Sequence, residues 1–167
     1  MRMAIIDKHL LVAAFFLAGL IGAASADIHI HYDNPKGFID IEEADSTQAH
    51  AVEVMQSHMT AFFHSQQAHS LKPGHTLELT FTDLDRAGYV DRHHNHGFHQ
   101  VRTLRNVGHV RIAFSYLLKD EQGHLIKQGN ENLKKTYTLS AMHVRKGRHD
   151  AYYFEKDLLA NWLEKLY

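Results

Sequence analysis

Two carboxylates leave the clearest β-pattern of the chain together. Asp83 and Asp85 close the run Thr76-Leu-Glu-Leu-Thr-Phe-Thr-Asp-Leu-Asp85, and Arg86 follows. Carboxylates at this spacing can divide general acid and base work between them, or ligate a divalent cation. Acidic residues at a strand exit are also ordinary turn chemistry. The structural reading, which we favour, caps a turn with them and pairs them with Arg102 or Arg105.

Arg102, Arg105 and Arg111 form a second constellation. The planar guanidinium fork suits a carboxylate or a phosphate. It would equally serve as partner to Asp83, Asp85 and Glu131 in a network that holds a sheet edge, since buried charges are normally paired. Asp83, Asp85, Arg102, Arg105, Arg111 and Glu131 are therefore the candidate binding residues.

The densest histidine group follows in Asp91-Arg-His-His-Asn-His-Gly-Phe-His99. Imidazoles suit Zn²⁺, Cu²⁺ or Ni²⁺, and His93, His94, His96 and His99 are the candidate metal ligands. No His-Glu-x-x-His pattern fixes a helix face for them. The other histidines, from His29 and His31 to His143 and His149, are scattered along the chain, which points to composition more than to one built site. His29 and His31 share a strand face and form a weaker two-ligand candidate. No cofactor is required by anything in the sequence.

The elements that position these residues follow from periodicity. Ile28-His-Ile-His-Tyr32 alternates with period two and reads as a strand, ended by Asp33-Asn-Pro-Lys-Gly37. Asp45, Ser46 or Thr47 can cap a helix running to about Gln67, with Val52, Met55, Met59, Phe62 and Phe63 on one face. Pro73-Gly74 turns the chain into the Thr76–Asp85 run. Leu77, Leu79 and Phe81 point inward there. Keeping that phase would bury Asp83, so the strand must end, bulge or pair that carboxylate.

Gly88 to Gly97 reads as loop, and Phe98 to Val107 is weakly patterned. Val110 to Leu118 is a long strand, Asp120-Glu-Gln-Gly123 a hairpin turn, and Leu125 to Leu133 a returning strand broken by Gly129. Ala151 to Leu166 reads as a closing helix with a stripe of Phe154, Leu158, Leu159, Trp162, Leu163 and Leu166. The order is β-α-β-β-β-α. A strand–helix–strand unit is most often parallel and right-handed. The expected fold is therefore α+β in a single domain: a mixed four-stranded sheet with two helices packed on one face, which buries both helical stripes.

Residues 1–26 carry a basic start, an apolar run from Leu10 to Gly22, and the small-residue motif Ala24-Ser-Ala26. That is the pattern of a secretory signal peptide cleaved before Asp27. The run is short for a bilayer span, which needs about 20 apolar residues. We expect residues 27–167 to form the single domain, exported to the periplasm, without stable membrane insertion after cleavage. With Cys 0 there are no disulfides, thiolate metal sites or thiol nucleophiles. A net charge of −1 lacks the basic excess of a nucleic-acid binder. Nucleophile elbows, phosphate loops and dinucleotide fingerprints are absent.

Four segments together resemble one family. They are Thr82-Asp-Leu-Asp-Arg-Ala-Gly88, Val101-Arg-Thr-Leu-Arg105, Arg111-Ile-Ala-Phe-Ser-Tyr116 and Tyr153-Phe-Glu-Lys-Asp-Leu-Leu-Ala-Asn-Trp162, in that order. The chain is similar to the bacterial family of secreted proteins of unknown function numbered three-zero-one-six, over nearly all of residues 27–167. Departures fall at Asn106, where the family usually has an acid, near Gly108-His109, where it has proline, and at Gly129-Asn-Glu131, where it has Gly-Glu-Glu. The resemblance implies secretion and a single domain, and it carries over no mechanism.

The leading expectation is a non-enzymatic periplasmic domain that binds a small ligand or an envelope protein. One alternative is a binder of Zn, Cu or Ni through the histidine-rich loop. The other is an enzyme built on Asp83 and Asp85.

Overall fold

The computed structural model describes residues 25–42, 46–91, 101–140 and 150–167. Residues 1–24 of the leader, Asp45 and the cluster His93, His94, His96 and His99 lie outside the described residues.

Strand β1 (Asp27–Tyr32) runs parallel to β2 (Thr76–Asp85), with helix α1 (Gln48–Ser70) as the crossover between them. A parallel pair demands such a crossover. The side chain of Thr47 caps α1 by accepting the His50 N–H at 3.2 Å. β5 (Val107–Lys119) lies antiparallel beside β2, and β6 (Leu125–Thr138) antiparallel beside β5, so the sheet order is β1-β2-β5-β6. Helix α2 (Tyr153–Leu163) closes the chain. This is the mixed four-stranded α+β arrangement expected from periodicity.

The core lies between the sheet and the two helices. Met55, Met59 and Phe63 of α1 and Leu159 of α2 are fully buried with Leu77, Leu79, Phe81, Ile112 and Leu118. Phe81 packs 5.5 Å from Phe114, whose ring meets Trp162 edge-on at 4.8 Å. Truncating such an aromatic side chain costs about 3–5 kcal/mol. The opposite sheet face is polar and carries His29, His31, Glu78, Thr80, Ser115, Gln128 and Asn130. Lys119 Nζ bridges to Glu78 there at 2.7 Å and holds the Glu78 carboxyl below its usual range.

Two expectations need correction. The stretch after Gly88 is not wholly loop: β3 (Tyr89–Asp91) pairs antiparallel with β4 (Val101–Thr103) in a small ribbon of its own. β6 also runs unbroken through Gly129. Gly129 stands opposite Tyr116, and a Cβ there would sit 2.9 Å from that ring. The pair Gly108–Tyr137, further along the same ladder, repeats the arrangement. In each, an aromatic ring covers the place the glycine leaves empty, so glycine continues the strand instead of ending it.

Candidate functional site

The alternation of β2 puts Asp83 on the buried face, and the chain resolves the conflict with a bulge. Phe81 pairs with Phe114, but Asp83 pairs with Ala113, so Thr82 is an extra residue without a partner. A bulge of one residue exchanges the two faces. Leu84 therefore turns inward, opposite Ile112, while Asp83 and Asp85 both reach the polar face. The carboxylate is also paired. Arg111 Nη2 donates to Asp83 Oδ2. Asp83 Oδ1 accepts the N–H groups of Ile39 at 3.0 Å and Leu84 at 2.9 Å. Asp83 thus ties β5 and the segment after β1 to β2.

Asp85 is held differently. Its Oδ2 faces His109 Nε2 at 3.4 Å, and that imidazole is half-exposed. Opposite Asp85 in the ladder stands Arg111. A bridge from Asp40 to Asp85 brings the segment after β1 to the end of β2. Asp40 takes the Arg102 guanidinium in two-pronged fashion, at 2.7 and 3.2 Å. Arg102 also donates to the carbonyls of Asp40 at 3.3 Å, Glu42 at 3.0 Å and Ala87 at 3.1 Å. It is the clasp that joins the β3–β4 ribbon to the sheet.

Of the expected acid–arginine pairs one forms, Asp83 with Arg111, and the other groups of the network find different partners. Among the described residues, Asp83 takes Arg111 and Asp85 takes His109, while Arg102 takes Asp40. Arg105 does not join it: its guanidinium sits over the Tyr89 ring, 5.0 Å from the centroid. Glu131 is not brought to the constellation either. It pairs with Phe114 on the helix side of the sheet, the face opposite Asp83 and Asp85.

A cleft of about 320 Å³ opens beside Asp85. Arg105, His109, Tyr137 and Tyr89 line it with Asp40 and Arg86, and Ile39 and Val107 form apolar lips. Those two side chains are 64% and 59% exposed, high for aliphatic residues. Burial raises the Tyr137 phenol above its usual range, so it stays protonated and able to donate. Arg105 has no carboxylate partner among the described residues. Chemically, the cleft offers an uncommitted guanidinium, an imidazole–carboxylate pair and two apolar lips.

Behind the cleft lies a pair that the sequence did not single out. Arg86 is 2% exposed, and its guanidinium lies over the Tyr152 ring, 3.9 Å from the centroid. Glu155, on the inner face of α2, is fully buried and accepts the Ala87 N–H at 2.8 Å. Burial drives its carboxyl above the usual glutamate value, while Ala87 N–H and Arg86 pull it down. The only sequence signal was position: Glu155 follows Phe154 within an otherwise apolar stripe. Among the described residues no group of three His, Asp or Glu side chains could hold a metal ion.

Comparison with known proteins places the chain. The family "Protein of unknown function (DUF3016)" matches residues 26–165, and the chain belongs to it. No curated protein matches the chain. Among solved structures, a minor lipoprotein from Acinetobacter baumannii aligns over 86% of this chain and 89% of its own, at 8% identity and a TM-score of 0.30. A putative lipoprotein from Caulobacter crescentus aligns over 80% and 89%, at 13% identity and a TM-score of 0.29. Among the described residues no helix is long and apolar enough to cross a membrane.

Proposed function

We propose that this protein is an exported, non-enzymatic binding domain, and that the cleft beside Asp85 takes a carboxylate-bearing ligand. Export to the periplasm rests on the leader pattern in residues 1–26. The observation that carries the binding reading is Arg105. It lines the cleft as a charged fork stacked on Tyr89, without an acidic partner among the described residues, between the exposed lips Ile39 and Val107. A guanidinium placed in this way matches a carboxylate, and the lips match an adjoining apolar group.

What supports a binding role over catalysis is the state of Asp83. Both of its oxygens are engaged, by Arg111 and by two backbone N–H groups, which leaves it poorly placed to exchange protons with a substrate. Succinate and N-acetyl-phenylalanine are suitable probes, followed by NMR shifts of cleft amides. We expect both to shift residues around Arg105 and His109, with the aromatic probe favoured. Arg105→Gln should weaken binding at least tenfold, the scale of one lost charge-assisted contact. Absence of shifts for both probes, or unchanged affinity in Arg105→Gln, would sink the proposal.

The metal-binding alternative rests on His93, His94, His96 and His99 and is judged by calorimetry with Zn²⁺, Cu²⁺ and Ni²⁺. A site no tighter than about micromolar would dismiss it.

A further inference from the structure

β6 ends the sheet. Among the described residues it is the longest strand, at 14 residues, and pairs only with β5; it contains no proline. Most of its side chains are exposed. A long outer strand of this kind presents a row of backbone donors and acceptors to any chain that can lie alongside. Proteins commonly guard such an edge with lysines. Here two of the guards are turned away. Lys127 Nζ donates to the Leu166 carbonyl at 2.8 Å, and Lys135 Nζ pairs with Asp157 of α2. Both reach back over the helix side of the sheet. On that same side, between them, Glu131 has no cationic partner among the described residues.

We propose that β6 joins a second copy of this chain edge to edge, antiparallel, with the two-fold axis at Gly129. Register selects the axis. A two-fold axis perpendicular to the sheet keeps the helix-bearing faces on one side, so each residue meets a partner of the same facing. With the axis at Gly129, Lys127 of each copy, whose ammonium keeps two donors besides its bond to the Leu166 carbonyl, stands opposite Glu131 of the other, giving two opposite-charge pairs at cross-strand distance. Moving the axis to Glu131 would set Glu131 against itself and Lys127 against Lys135, which is repulsive. Gly129 itself places no side chain at the axis. The ground beneath it is the Tyr116 ring, which packs 5.2 Å from Trp162, so the strands would meet over a firm apolar floor. On the polar face, Gln128 would lie opposite Asn130 of the other copy, and two amides can exchange hydrogen bonds there. The result is a continuous eight-stranded sheet built from two four-stranded halves.

Sedimentation of the purified protein up to about 1 mM, a range that includes weak contacts, should show mass doubling with concentration. Glu131→Lys and Lys127→Glu should each weaken self-association at least tenfold. An equal mixture of the two variants should associate again, because every facing pair in the mixed dimer is of opposite charge. The chain has no cysteine, so engineered disulfides report register directly. Gln128→Cys/Asn130→Cys should cross-link as a dimer under mild oxidation, since directly opposed strand residues lie within disulfide reach. Asn132→Cys/Lys134→Cys should not. Circular dichroism of each variant checks that the fold is retained. A monomer at every concentration, failure of the mixture to associate, or cross-linking only through positions 132 and 134 would overturn the proposal.

Discussion

Asp83 and Asp85 stand two residues apart on one strand and share one face, yet they end in opposite conditions. Asp83 is saturated: a guanidinium on one oxygen and two N–H groups on the other. Among the described residues Asp85 touches a single half-exposed imidazole, and it borders a cleft. The difference lies in what the neighbouring elements bring. The segment after β1 delivers the Ile39 N–H to Asp83, and β5 delivers Arg111. At Asp85 the ladder is running out, and the space beyond it is lined by side chains that do not close on it. A carboxylate that fastens three segments is structural. One held by an imidazole at the edge of a cleft fastens little.

This contrast can be broken experimentally. The largest effect is expected at the fastener. Asp83→Ala should lower stability by about 2–4 kcal/mol in urea unfolding, because it strands Arg111 and two backbone donors in a half-buried place. Asp85→Ala should cost less than about 1 kcal/mol, because the one imidazole it leaves behind is half-exposed and can turn to water. Equal losses at the two sites would dissolve the distinction.

The bulge supplies a sharper test. Without Thr82 the ladder alternates regularly, with Phe81 inward, Asp83 outward and Leu84 inward. Deletion of Thr82 should therefore leave a cooperative fold and cost about 1 kcal/mol, an ordinary value for a tolerated change. Loss of cooperative unfolding would mean that the bulge does more than restore phase.

Glu155 extends the comparison to a third acid, one wholly cut off from water. Its folded carboxyl titrates above the usual value because burial penalises the charge. The folded protein then keeps this proton to higher pH than the unfolded chain. Stability from this group is full below the unfolded glutamate value of about 4.3 and falls as pH rises through the raised folded value. Glu155→Gln retains an acceptor for the Ala87 N–H and has no proton to lose. Urea unfolding of the two proteins from pH 4 to pH 8 should show the variant gaining on the parent as pH rises. Parallel curves would place the carboxyl in its ordinary range.

The smallest effect is expected at Arg105. Arg105→Gln gives up one exposed cation–π contact and should change stability by about 0.5 kcal/mol or less. Its consequence belongs in ligand binding, and a large stability loss would make Arg105 another fastener.

Much of the frame was legible in the residues themselves. Period-two runs marked β1, β2 and β5, and the stripes of α1 and α2 marked their buried faces, because burial of apolar side chains imposes those repeats locally. Even the trouble at Asp83 could be read as a need to end, bulge or pair. The choice could not, since a bulge is a statement about the facing strand. Nor, beyond Arg111 for Asp83, could the partners. Nothing in the run around Arg102 says that Asp40 lies opposite, and nothing near Asp85 points to His109, because ion pairs form between segments far apart in the chain. Gly129 misled for a related reason: alone it weakens a strand, while under the Tyr116 ring it continues one.

The sequence by itself determined the α+β order, the two apolar faces and the identity of the acids and arginines that would need partners. Those are properties of local pattern and composition. The tertiary structure alone decided which acid became a fastener, which arginine was left over at a cleft, and which strand was left at an edge. Each depends on which distant segment arrives, and chain topology sets that, beyond the reach of any local repeat.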